Sequence, residues 1–158
     1  ADELLAERSR LAAVYADALG ELGGRPAGDG PDEGLVLPCA DRGPRTFVIA
    51  GGGEARDGRA SYRESIVRLG DTSPDGLRDK VRYVVGAMEQ RMAALGFGWS
   101  DATSTQAYTV HDIGPLVRDE FVGRGVAREG LTWHFCRPPV VDIEFEMDVR
   151  SPAFERIV

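Results

Sequence analysis

Near its end the chain carries four acids in alternation. Asp142, Glu144, Glu146 and Asp148 are interleaved with Val141, Ile143, Phe145 and Met147. Alternate residues of a strand share a face, so the acids are predicted to form one row and the apolar residues another. Carboxylates this crowded repel one another unless water or cations lie beside them; Arg82, Arg137 and Arg150 are candidates for that role. Such a row is either a solvated sheet face or a set in which one member lines a pocket and takes a proton from water as a general base. Asp142 and Glu144 are the candidate catalytic residues. A second feature is the run Thr46 to Ala50, which leads into Gly51-Gly52-Gly53. There the backbone can approach a ligand closely and offer its amides to a developing oxyanion. Gly51 and Gly52 are therefore candidate substrate-binding positions, together with Tyr108, Trp133 and Arg137. The aromatics would wall a pocket, or pack in a core or subunit interface; the guanidinium suits a carboxylate. His134 and Cys136 share a strand face, a weaker candidate for a nucleophilic pair.

These residues need elements to position them. Glu3 to Leu22 reads as an amphipathic helix stopped by Gly23-Gly24. Arg25 to Gly34, rich in Gly, Pro and Asp, reads as a loop or linker. Leu35 to Leu37 and Thr46 to Ala50 read as strands, and Ser61 to Leu69 as a third. Ser73 and Pro74 signal a helix start, and Val81, Val84, Val85, Met88, Met92 and Leu95 give that helix an apolar stripe ending at Gly96. A strand from Thr103 to Val110, a short helix from Ile113 to Val122, and strands at Leu131–Cys136 and Val140–Met147 complete the prediction.

The order βββαβαββ resembles that of the RidA/YjgF family, an α+β, chorismate-mutase-like fold in which a sheet packs against two helices. Three segments carry the resemblance. Phe47 to Gly52 is similar to that family's V-S-G-Q strand end, Ala107 to Asp112 to its V-Y-L-T-D strand, and Val141 to Glu144 to its V-E-I-E strand. The match spans Gly34 to Arg150. Residues 1–33 then form an added N-terminal helix and linker, and 151–158 a tail. The resemblance implies a homotrimer with pockets between subunits, no cofactor, and hydrolysis of a small imine. It places the water-positioning acid at Asp142, one methylene shorter than the family's Glu, and the turn position at Ala50-Gly51, where the family's Ser hydroxyl is absent. The position of the substrate-gripping arginine falls on Leu131, which leaves Arg63, Arg82 and Arg137 as substitutes. The expectation is a trimeric small-molecule hydrolase or deaminase acting on an imine or related electrophilic carbon. The rival is a non-catalytic trimer that binds a metabolite or scaffolds a pathway enzyme, with the N-terminal helix docking a protein partner.

Composition narrows the classes. The chain has 158 residues and a net charge of −7, which suits one domain and argues against a nucleic-acid surface or the ribonuclease activity attributed to some family members. No apolar run approaches the roughly 20 residues that span a bilayer. The opening residues show no basic-then-apolar leader, so the expectation is a cytoplasmic protein without membrane contact. Cys39 and Cys136 lack the spacing of a metal or redox motif, and no metal site is expected.

Overall fold

The computed structural model describes residues 45–56 and 61–152, together with the backbone of residues 25–26 and 35–36. The predicted helix at Glu3–Leu22 and Cys39 lie outside the described residues. Six short strands form one mixed sheet: β1 (Arg25–Pro26), β2 (Leu35–Val36), β3 (Val48–Ile49), β4 (Ser104–Tyr108), β5 (Thr132–His134) and β6 (Glu146–Arg150). Their spatial order is β1-β2-β3-β6-β4-β5, all antiparallel except the β4–β5 pair. β6, last in sequence, therefore lies mid-sheet, paired to β3 through Val48–Arg150 and to β4 through Tyr108–Glu146.

Three helical segments follow from local signals. α1 (Tyr62–Ser65) is a single turn capped by Ser61, whose hydroxyl accepts from the Glu64 amide at 3.3 Å. α2 (Pro74–Ala94) begins at Ser73, whose hydroxyl accepts from the Gly76 amide at 3.1 Å. Pro74 occupies its first turn, where the missing N–H costs nothing. α3 (Gly114–Leu116) runs directly into a π-helical turn at Val117–Val122.

The core lies between α2 and one face of the sheet. Val81, Val84, Val85, Met88 and Met92 are fully buried against Ile49, Ala107, Phe145, Met147 and Val149. Burying each such side chain is worth about 1.5–3 kcal/mol. Lys80 and Glu54 are buried within this layer and meet at 3.1 Å. The opposite face of the sheet carries the polar alternates Glu144, Glu146, Asp148 and Arg150, each half-buried.

Four sequence expectations need correction. Ser61–Leu69 is not a strand: Ser61 and Glu64 have the S-x-x-E spacing that starts a helix, and only Ile66 pairs, in an isolated bridge with Ala55. Arg25–Pro26 is not loop but a strand paired with β2. The last strand starts at Glu146 rather than Val140. Asp142 has a positive φ of 68°, which turns the chain, and the Glu54 carboxylate takes the Glu144 and Phe145 amides that a ladder would use. Val141 therefore leaves the apolar row and is 78% exposed. The Leu131–Cys136 strand shortens to Thr132–His134 at the sheet edge, leaving Trp133 and Phe135 exposed.

Candidate functional site

β3 and β6 adjoin, so the glycine turn after β3 comes to rest against the acidic row. Gly51, at φ 81°, lies so close to Glu146 that a Cβ there would stand 2.6 Å from Oε1. A side chain at position 51 would be strained by its φ and would displace that carboxylate. A cavity of about 300 Å³ opens at this point, walled by Ala50, Gly51, Tyr108, Glu146, Asp148 and Arg150. That is at the small end of ligand sites. A second cavity of about 80 Å³ shares Ala50, Gly51 and Glu146 and continues along Gly52, Tyr62 and Arg91. Glu146 is the acid common to both.

The larger cavity has a fixed polar wall. The Tyr108 hydroxyl donates to Asp148 Oδ2 at 2.6 Å, and the Gln106 side chain lies 2.9 Å from the same hydroxyl. The His134 ring stacks on Tyr108 with centroids 4.7 Å apart, while its Nε2 lies 2.8 Å from Gln106 Oε1. Burial, reinforced by the Asp148 carboxylate, pushes the Tyr108 hydroxyl well above the ordinary phenol range, so it remains a proton donor at neutral pH. Asp148 Oδ1 is buried and lacks a hydrogen-bond partner among the described residues.

A second cluster gathers at the end of the sheet. Glu144 Oε2 lies 2.7 Å from His111 Nε2 and accepts from Arg137 at 3.0 Å. Thr109 ties this cluster together: its hydroxyl donates to the Glu144 carbonyl and accepts from the His111 amide, while its own carbonyl accepts from Trp133 Nε1. Behind it, Glu54 fixes the Glu144 backbone.

The sequence-predicted residues thus divide. Gly51 and Tyr108 line the larger cavity, and Gly51 and Gly52 the smaller. Glu144, Trp133 and Arg137 form the second cluster. Asp142 joins neither cavity wall; it sits on the turn with an ion pair to Arg63 at 3.5 Å. The three arginines considered as carboxylate grips all face acids of this chain: Arg63 with Asp142, Arg82 with Glu120, Arg137 with Glu144. His134 is occupied by Gln106 and Tyr108, and Cys136 is exposed. Sequence reading passed over Arg91 and named Glu146 only as one of the acidic row. Arg91 carried a signal: it lies seven residues after Val84 and three after Met88, beside the buried stripe of α2.

Residues 36–156 match the family described as 2-aminomuconate deaminase CnbZ. The chain belongs to that family. It is also 52% identical over 113 residues to the 2-amino-5-chloromuconate deaminase of Comamonas testosteroni, a match that covers 72% of this chain and 45% of that protein. The chain thus spans less than half the length of that relative. Among solved structures, RidA from the Antarctic bacterium Psychrobacter sp. PAMC 21119 superposes with a TM-score of 0.53 at 12% identity, covering 80% of this chain and 98% of that one. The YjgF gene product of E. coli gives 0.50 at 15% identity, over 82% and 93%. The RidA/YjgF resemblance and its α+β fold are therefore borne out. No helix among the described residues is long and apolar enough to cross a membrane.

Proposed function

We propose that this chain is the catalytic part of a hydrolytic deaminase for a short unsaturated acid with an amino group beside a carboxylate, of the 2-aminomuconate kind. The observation that carries this reading is the extent of the family match: residues 36–156 include every residue lining the two cavities.

The chemistry needs no cofactor. The enamine substrate shifts a proton from nitrogen to carbon and becomes an imine. Water adds to the imine carbon while a carboxylate takes its proton. The carboxylate returns that proton to nitrogen, giving a carbinolamine. The C–N bond then breaks with its electron pair on nitrogen as the carbinolamine oxygen closes to C=O, and the hydroxyl proton passes through the carboxylate to the departing nitrogen. Ammonia and a 2-oxo acid are released. Glu146 is the group for this double duty, since it alone among the acids borders both cavities. Glu144 supports the neighbouring wall with His111 and Arg137. Tyr108, kept protonated, donates its hydroxyl hydrogen bond to Asp148 and so fixes that acid in the wall of the larger cavity. The homotrimer remains part of this reading: Trp133 at 41%, Phe135 at 75% and Val141 at 78% exposure form apolar surface that a second copy would cover.

The test is to incubate the protein with 2-aminomuconate and to follow ammonia and 2-oxo acid together. Equimolar release above the spontaneous rate supports the reading. Binding without release makes the chain a metabolite-binding member of the family instead.

A further inference from the structure

A substrate with carboxylates approaches a groove holding Glu146, Asp148 and Arg150. Arg150 already faces Asp148 at 3.9 Å, so the two acids repel the substrate unless a further cation stands within reach. We propose that Arg91 of α2 is that cation and that it grips the carboxylate next to the reacting carbon. This rests on the deaminase reading and names its substrate-binding group.

Three observations converge on Arg91. First, it lines the small cavity together with Glu146. Second, its guanidinium is held in place but not neutralised. One NH1 donates to the Gly51 carbonyl at 3.1 Å, and Arg91 makes no ion pair among the described residues. A guanidinium has five N–H donors, so this single bond aims the group and leaves donors for a bidentate carboxylate. Third, space is reserved for it. A Cβ on Gly52 would stand 2.6 Å from Arg91 NH1, so glycine at 52 is what lets the guanidinium lie against the turn.

The pairing of groups selects the ligand. A cation and a carboxylate lining one small cavity match a carboxylate bonded to the carbon of a protonated imine: the acid is bound by Arg91, and the nitrogen and attacking water are served by Glu146. The small cavity, about 80 Å³, receives that head group. The remainder of an unsaturated chain then extends past Gly51 into the adjoining cavity of about 300 Å³. A substrate lacking the carboxylate beside the nitrogen forfeits the Arg91 half of the recognition.

The test compares Arg91→Gln and Arg91→Lys with the unaltered protein, using 2-aminomuconate and its analogue esterified at the carboxyl beside the nitrogen. Arg91→Gln is expected to raise KM for the acid about 10- to 100-fold, the loss of a charge-assisted bond, with kcat changed far less. Arg91→Lys should recover part of that loss, and the ester should be turned over equally by all three proteins. An unchanged KM for the acid, or equal impairment with acid and ester, overturns the proposal. Calorimetric titration with muconate, which has the carboxylates but no nitrogen, separates the two claims. If no protein deaminates, yet muconate binds the parent and binds Arg91→Gln at least tenfold more weakly, the deaminase reading falls and the Arg91 site stands. If muconate binds both alike, the Arg91 site falls.

Discussion

The two faces of the sheet use the same residue types for opposite ends. On the helix side, Glu54 is fully buried, and its oxygens accept from Lys80 Nζ, the Glu144 amide and the Phe145 amide. Lys80 also donates to the Val67 carbonyl. On the polar side, Glu146 borders two cavities and Asp148 keeps one oxygen without a hydrogen bond among the described residues, while Arg91 reaches the glycine turn from α2 and meets a carbonyl but, among those residues, no acid. A fully satisfied buried pair has nothing left to offer a ligand and serves the fold. The polar face, which adjoins open volume, is where a substrate can bind. The difference teaches that burial of a charge is not itself the sign of a site; incomplete satisfaction beside open volume is.

Removing one partner on the helix side should produce the largest effect on stability. Lys80→Met leaves Glu54 buried without its cation and is expected to cost about 3–5 kcal/mol in urea unfolding. A loss under 1 kcal/mol would erase the contrast between the faces. On the polar side, Glu146→Gln should lower kcat about a hundredfold or more while the unfolding midpoint holds. Tyr108→Phe lies between the two. It strips Asp148 of its 2.6 Å donor and should cost about 1–3 kcal/mol of stability. The folded-state phenol lies above its unfolded value of 10.0, so its contribution is complete below pH 10 and fades as pH rises beyond it. Tyr108→Phe should therefore flatten the alkaline arm of the stability curve.

The smallest effect concerns the approach to α2. Asp71 is lowered from 3.8 to about 2, chiefly by its hydrogen bonds to Ser73 and then by Arg68. A depressed folded value means stabilisation that is present above pH 4 and lost as pH falls toward 2. Asp71→Asn should remove that acid-side slope by lowering stability slightly at about pH 4 and 7 and leaving it closest to the parent's at about pH 2.5; urea titrations at those three pH values check it.

The helix stripe and the β-prone runs were legible because burial imposes a period on them. α2, β4 and β3 stand where apolar spacing placed them, and Ser73 and Pro74 mark the start of α2. Boundaries set by side chains distant in sequence were not legible. β6 starts late because Glu54, about ninety positions earlier, takes two of the amides before it. The site was half legible: glycine after a strand marked the turn, and Tyr108 alternated onto the correct face. Which acid of the row meets that turn depends on the β3–β6 register, which no local pattern encodes. Hence Asp142 and Glu144 drew attention, while Glu146 stands at the cavity. Arg91 was hidden for a related reason: a charge beside an apolar stripe reads as a surface residue until its cavity is known.

The most direct test is a side-by-side assay of ammonia release from 2-aminomuconate by the parent protein, Glu146→Gln and Asp142→Asn. The account predicts activity in the parent and in Asp142→Asn, with a loss of at least about a hundredfold in a folded Glu146→Gln. An active Glu146→Gln beside an inactive Asp142→Asn would contradict it and return the chemistry to the turn.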